Sequence, residues 1–202
     1  MGYIDPIDVA YIIKYHKDLI NQNPNDHDLS MGWSGDTQAI RFKHLANIDD
    51  LNNKSVLDVG CGNAKLYDYL IQLYPTMRYV GLDLIDEFLN AAIQRLGHIK
   101  DVNFYQGNFM SDQLPLLDYY LVSGALNYKN ANPLFIFESI KHLFNSARLG
   151  LGFNLLSTVP DNQNFAIAYN KQMIFEFCKM LTPKCKFIDG YLENDYTIYL
   201  YH

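Results

Sequence analysis

The 202-residue chain predicts an α/β fold: a seven-stranded, mostly parallel sheet with an antiparallel last strand, helices on both faces, and a helical segment ahead of it. Three observations predict it. From about residue 55, short β-branched and aromatic runs alternate with longer helical patterns, the mark of strand-helix-strand units. The run Ser55-Val56-Leu57-Asp58-Val59-Gly60-Cys61-Gly62 is apolar and ends in an acid and two glycines, as a buried strand does where it turns sharply into a helix and exposes bare backbone to a ligand. The last two apolar runs are separated only by Leu192-Glu193-Asn194-Asp195, which leaves room for a hairpin but not for a parallel crossover of about a dozen residues.

The elements follow in order. A helical stretch from Pro6 to Asn21 carries Val9, Ile12, Ile13 and Ile20 at roughly helical spacing, which reads as a packing face. A polar loop follows from Asn23 to Asp28, then Trp33 and a second helix from about Gly35 to Asn47. Strands are predicted near 55–59, 78–83, 102–106, 119–123, 149–155, 186–191 and 196–201, with helices near 64–74, 85–97, 133–146 and 163–181 between them. The interval from Gly107 to Asp118 is too short for a helix with two turns and predicts a loop or a single turn. An antiparallel last strand starts at the carboxyl ends of the parallel ones, where open α/β sheets bind ligands, so Asp195 and Tyr196 are expected to face the site. Residues 1–50 form the leading helical segment and 51–202 the sheet domain, together one compact unit.

Composition bounds the function. With 49% hydrophobic and 19% charged residues the chain is an ordinary globular sequence, and at this length it buries roughly 70% of its unfolded surface. A formal charge of -6 and the lack of a dense Lys/Arg run make nucleic acid an unexpected partner. The beginning of the sequence has no basic segment followed by an apolar core, and no apolar stretch of about 18 residues follows, so a cytoplasmic location without membrane insertion is expected. Cys61, Cys178 and Cys185 are an odd set without CxxC spacing, which predicts reduced thiols. His16, His27, His44, His98, His142 and His202 do not fall at metal-ligand spacing, so no metal is expected and each reads as a surface or satisfied histidine, with His44 nearest the leading segment's end.

The chemistry rests on the glycine turn and its answer, Gly81-Leu82-Asp83, about two dozen residues later. In a right-handed strand-helix-strand unit the acid at that second strand tip lies beside the turn and can accept both hydrogen bonds of a ribose diol. A dinucleotide turn wants glycine at its first, third and sixth positions, and here these are Gly60, Gly62 and Lys65, so the third glycine is missing.

Asp58-Val59-Gly60-Cys61-Gly62 and Gly81-Leu82-Asp83 resemble the first two motifs of class I S-adenosylmethionine-dependent methyltransferases, and the resemblance extends from Ser55 to His202. It implies a Rossmann-like fold and S-adenosyl-L-methionine as cofactor. Gly60, Cys61 and Gly62 would form the turn against the cofactor's amino-acid part, with Cys61 as the small residue between glycines; Asp58 would anchor the loop and the ammonium, and Asp83 the ribose hydroxyls. Leu84 and Ile85 would flank the adenine. Asn108 stands where the family usually has an acid accepting from the adenine amino group, so it is an adenine contact or a plain turn residue, and Phe109 would offer the ring an apolar face. Ala64 replaces a frequent third glycine; alanine predicts a negative φ and a firmly fixed helix start.

Ser123 and Gly124, after the fourth strand, would contact the cofactor through their backbone. Asn127 is a candidate substrate contact or a helix cap, and Asn154 a substrate contact or a structural residue. In the subgroup of small bacterial methyltransferase-domain proteins that the two ends of the chain resemble, the leading segment is an N-terminal helical lid; Arg41 would pair with the methionine carboxylate, or be a surface charge, and Trp33 would wall the substrate pocket. The Asn/Asp-Pro-Pro-aromatic motif used on base amino groups and the Pro-Cys pair used on cytosine carbon are both missing. The resemblance therefore implies methyl transfer to a small-molecule acceptor, less readily to a protein. The alternatives are a non-catalytic S-adenosylmethionine-binding module and a nicotinamide-dependent oxidoreductase.

Overall fold

The computed structural model describes residues 5–23, 37–159 and 165–202; Trp33 lies outside them. Seven strands, β1 (Ser55–Val59), β2 (Arg78–Asp83), β3 (Val102–Gln106), β4 (Tyr119–Val122), β5 (Gly150–Leu156), β6 (Cys185–Ile188) and β7 (Asp195–Tyr201), form one sheet in the order β3-β2-β1-β4-β5-β7-β6. The pairs from β3 through β5 are parallel, and β7 runs antiparallel to both β5 and β6, as the short Leu192-to-Asp195 connection requires. The strand order reverses between β1 and β4, the switch point at which the carboxyl strand ends open a crevice.

The central strands are buried on both faces, which is why they read as unbroken apolar runs. Alternate residues feed two cores. Tyr120 and Val122 with Ile198 and Leu200 pack on one side against α5 (Phe135–Ser146) and α6 (Lys171–Leu181). Tyr119, Leu121 and Tyr199 pack on the other against α2 (Thr37–Ala46), α3 (Lys65–Leu73) and α4 (Asp86–Leu96). The remaining described helix, α1 (Pro6–Gln22), precedes these and is capped by the Asp5 side chain, which accepts from the Ile7 N–H.

Two expectations change. The helix expected over 163–181 begins only at Lys171: the Asn170 side chain accepts from Met173 N–H as an N-cap, and Ala166 instead forms a bridge with Tyr128. Ala64 adopts the left-handed region at φ 64, because the turn Gly60-to-Ala64 has to close before the helix starts, with Ala64 N–H donating to Cys61 O. The methyl fits there, fully buried, but the backbone is held where glycine is the easier residue.

Candidate functional site

The glycine turn closes between β1 and β2. Gly60 and Gly62 have φ of +72 and +54, and a Cβ on Gly60 would lie 2.5 Å from the Ala125 Cβ, so only bare backbone fits against the loop after β4. The amide groups of the turn are consumed internally: Gly60 and Cys61 donate to Leu82 O, Gly62 to an Asp83 carboxyl oxygen, and Ala64 to Cys61 O. Four N–H groups of the turn are thus committed within the protein.

Asp83 is buried and accepts from Gly62 N–H at 2.7 Å on one oxygen and from Ile85 N–H at 2.9 Å on the other. The carboxylate retains lone-pair capacity for a ligand. Burial pushes its pKa up, and the N–H bonds from Ile85, Gly62 and Leu84 oppose that rise. The loop-anchoring role given to Asp58 by resemblance is thus performed by Asp83. Asp58 instead accepts from the Tyr79 hydroxyl at 2.5 Å, and burial raises its pKa to about 7, opposed by that bond and assisted by the charge of Asp83. Burial also pushes the Cys61 thiol well up, which leaves it an inert packing group.

Two connected hollows meet at the turn. The larger, about 880 Å³ and open to solvent at its mouth, is lined by Gly60, Gly62, Asp83, Leu84, Asn108, Phe109, Ser123 and Gly124 among the expected residues. The smaller, about 300 Å³, shares Gly60, Gly62 and Ser123 and adds Asp58, Cys61, Asn63 and Lys65, with Gln38 and Phe42 of α2 as its outer wall. The Ser123 hydroxyl and the Asn63 side-chain amide oxygen are buried there without a hydrogen-bond partner, polar capacity that a bound ligand can satisfy.

Asn108 behaves as a turn residue, its amide oxygen accepting from Met110 N–H at 3.0 Å and its own N–H donating to Asp112, while it also lines the larger hollow. Of the expected substrate residues that are described, Asn127, Asn154, Asp195 and Tyr196 line neither hollow. Arg41 and Asp195 face each other in a bidentate pair, Nε at 3.0 Å from both carboxyl oxygens, with side chains only 12% and 4% exposed. Tyr196 points to the opposite face of β7, where its hydroxyl donates to Tyr169 O; neighbours on a strand alternate sides, so Asp195 and Tyr196 do not face one site together. The Asn127 side chain donates to Ile167 O, and its backbone carbonyl accepts from Ile167 N–H, pinning the segment before α6; Asn130 and Asn132 form side-chain turns ahead of α5, accepting from the N–H groups of Asn132 and Leu134. The Asn154 side-chain amide donates to Thr197 Oγ1 at 2.6 Å inside the sheet, and its side-chain oxygen is buried without a partner.

Residues outside the sequence expectations complete the larger hollow: Ile12 and His16 from α1, Phe88, Tyr128, Asn130 and Phe135. His16 is buried, and its Nε2 lies 2.7 Å from the Tyr128 hydroxyl oxygen. A signal existed, since His16 falls four residues after Ile12 and four before Ile20 on the apolar stripe of the first helix. Among the described residues, no group of three or more His, Cys, Asp or Glu side chains comes together to hold a metal ion, and no helix is long and apolar enough to cross a membrane.

A family model described as a methyltransferase domain matches residues 50–189. Among solved structures, the fold is similar to magnesium protoporphyrin IX methyltransferase from Synechocystis PCC 6803 with bound SAM, with a TM-score of 0.68 and 14% identity over 100% of this chain and 99% of that one. The N-methyltransferase NodS of Bradyrhizobium japonicum WM9, in complex with S-adenosyl-l-homocysteine, gives 0.67 and 13%, covering 93% of this chain and 98% of its own. A SAM-dependent methyltransferase from Aquifex aeolicus gives 0.61 and 14%, covering 98% and 99%. No curated protein matches the chain by sequence.

Proposed function

The chain belongs to the methyltransferase-domain family, an enzyme family whose cofactor is S-adenosylmethionine, and from that premise we propose that it methylates a small-molecule acceptor with the cofactor laid across the glycine turn. The observation that carries the reading is the state of the turn. The N–H groups of Gly60, Cys61, Gly62 and Ala64 are spent on Leu82, Asp83 and Cys61, while buried Asp58 lies beside the turn with no ion-pair partner among the described residues. An amino-acid tail with an ammonium group suits that arrangement.

The larger hollow takes the adenosyl part: Asp83 receives the two ribose hydroxyls on its remaining lone pairs, Leu84 and Phe109 sandwich the adenine, and Asn108 meets its polar edge. The smaller takes the methionine tail, with Asp58 on the ammonium, Ser123 filling its unused bonding capacity, and Lys65 with Gln38 toward the carboxylate. Arg41, which resemblance offered for that carboxylate, is engaged by Asp195 and is a structural tie. Bound here, the cofactor supplies a sulfonium methyl group. The protein orients that group toward the open side, where α1 covers the hollow as a lid and keeps water from it.

Titration calorimetry with S-adenosylhomocysteine and with NADH tests the reading. Binding of the first with loss of about 1–3 kcal/mol in Asp83→Ala is expected, from the deleted charged hydrogen bonds; binding of NADH alone would overturn it. Transfer of a labelled methyl from S-adenosylmethionine to small molecules rather than to macromolecules of a cell extract tests the acceptor class.

A further inference from the structure

We propose that Tyr128, backed by His16, receives the proton of an acceptor hydroxyl, and that the acceptor is a small, uncharged, largely apolar molecule methylated on that oxygen. The inference rests on the reading of the larger hollow as the adenosyl site. It begins from the wall of that hollow that the cofactor contacts do not explain. Ile12, Phe88 and Phe135 make it apolar, and the described residues lining the hollow include no Lys or Arg with which to hold a carboxylate or phosphate. Within this apolar setting sits one oriented polar pair, the His16 imidazole and the Tyr128 hydroxyl, 2.7 Å apart.

The pair is built rigidly. The His16 ring is enclosed by Tyr15, Phe88 and Tyr128 at centroid distances of 5.2, 5.2 and 5.6 Å. Tyr128 is fixed by its bridge to Ala166 and by Lys129 N–H donating to Phe165 O. Among the described residues, the charged and titratable groups near the pair include Tyr15, Asp83 across the hollow, and Lys17 of α1, which pairs with Asp86 and Glu87 of α4. Burial first, then the charges of Asp83 and Tyr15, push the Tyr128 phenol well up. It therefore stays protonated at rest and can only pass a proton on, not lose one to solvent.

An amine in its neutral form already carries a lone pair for the methyl carbon. A hydroxyl holds its proton at neutral pH, a phenol up to about pH 10, and gains from a relay. The acceptor's proton passes to the Tyr128 oxygen as the Tyr128 proton passes to Nε2 of neutral His16. The freed oxygen pair forms the bond to the methyl carbon while the carbon–sulfur bond breaks with its electrons on sulfur. Neutral ether, neutral thioether and an imidazolium result, and the imidazolium returns its proton to water once α1 opens. Tyr128 is the group that meets the acceptor; His16 acts through it.

The test uses 4-nitrophenol, whose absorbance reports its ionisation, with the full-length protein. Added to protein loaded with S-adenosylhomocysteine, it is expected to bind with more phenolate than free probe at the same pH. His16→Gln keeps a hydrogen-bond acceptor for Tyr128 but takes no proton, so it should abolish that spectral shift. With S-adenosylmethionine, the same variant should lower kcat for 4-nitrophenol methylation by about 10²–10⁴ with little change in KM, and remove the acidic limb of the pH profile. Tyr128→Phe should lose both. An unchanged spectrum or kcat in His16→Gln overturns the relay, as does normal S-adenosylhomocysteine binding without uptake of the phenol. Failure of the wild-type protein to bind S-adenosylhomocysteine would overturn the cofactor reading and this proposal with it.

Discussion

The two leading helices wall the same site in opposite ways. α2 closes the smaller hollow with Gln38 and Phe42, and it belongs to the core: Phe42, Leu45 and Ala46 are buried, Arg41 is clamped by Asp195, and the carbonyls of His44, Ala46 and Ile48 at its end each accept a tyrosine hydroxyl, from Tyr199, Tyr74 and Tyr201. α1 lines the larger hollow, with His16 as its one buried residue and Tyr15 packed on Phe165, while its ion pairs of Lys17 with Asp86 and Glu87 and its bond from the Ala131 N–H to Asp8 are exposed. A helix held by buried area and desolvated hydrogen bonds moves only when the domain unfolds, while one held by surface pairs opens at small cost. One wall is fixed and the other can be lifted, which is what a site needs that must hold its cofactor's tail and still admit an acceptor.

The comparison breaks first at the fixed wall. Arg41→Ala leaves the Asp195 carboxylate buried without its partner and should cost about 3–5 kcal/mol in denaturant unfolding; a loss confined to cofactor affinity would return Arg41 to the site. Leu45→Ala should cost about 2–5 kcal/mol, whereas Ile12→Ala on α1 should leave the unfolding midpoint nearly unmoved and show instead as faster S-adenosylhomocysteine release in stopped flow. Equal destabilisation by the two would erase the distinction.

A pH series sharpens the fixed side. The Asp58 pKa is raised in the folded protein to about 7, so its contribution to stability is fully present below the unfolded carboxyl value near 4 and is lost as pH rises from there through 7. Cofactor binding runs the other way, since the ammonium prefers ionised Asp58: affinity should climb up to about pH 7 and level off above it. Melting curves and calorimetry across that range should both flatten in Asp58→Asn, and an unaltered affinity profile would assign the ammonium elsewhere. Ala64→Gly at the same turn should stabilise by about 0.5–1 kcal/mol, relief of the left-handed strain less one buried methyl. The smallest effect belongs to the movable wall: Lys17→Glu, facing Asp86 and Glu87, should speed S-adenosylhomocysteine release a few-fold without shifting the melting temperature.

Much of the site was legible because it is local. The β1 turn and the β2 tip are short, contiguous patterns, and Asp58, Gly60, Gly62 and Asp83 sit together as the pattern requires. Asn108 was left open between two roles and fills the turn position while lining the hollow. The misplacements share a cause. Arg41 and Asp195 are separated by 154 positions, and nothing in either neighbourhood shows that each is the other's partner. Tyr196 went to the wrong face because a strand's direction is readable from its connection but its register is not.

By itself the sequence determined the periodic elements, the sheet class with its closing hairpin, and the nucleoside-type cofactor end, since each is written within one strand-turn-helix stretch and follows from backbone sterics and side-chain alternation. Only the tertiary structure decided which polar residues meet. Whether Arg41 binds a ligand or Asp195, whether the turn's N–H groups are free or spent, and whether His16 is a surface histidine or the partner of Tyr128 112 residues away all depend on contacts between distant segments. Burial makes those contacts matter, because a desolvated polar group must find a partner somewhere, and the chain's local pattern does not say where.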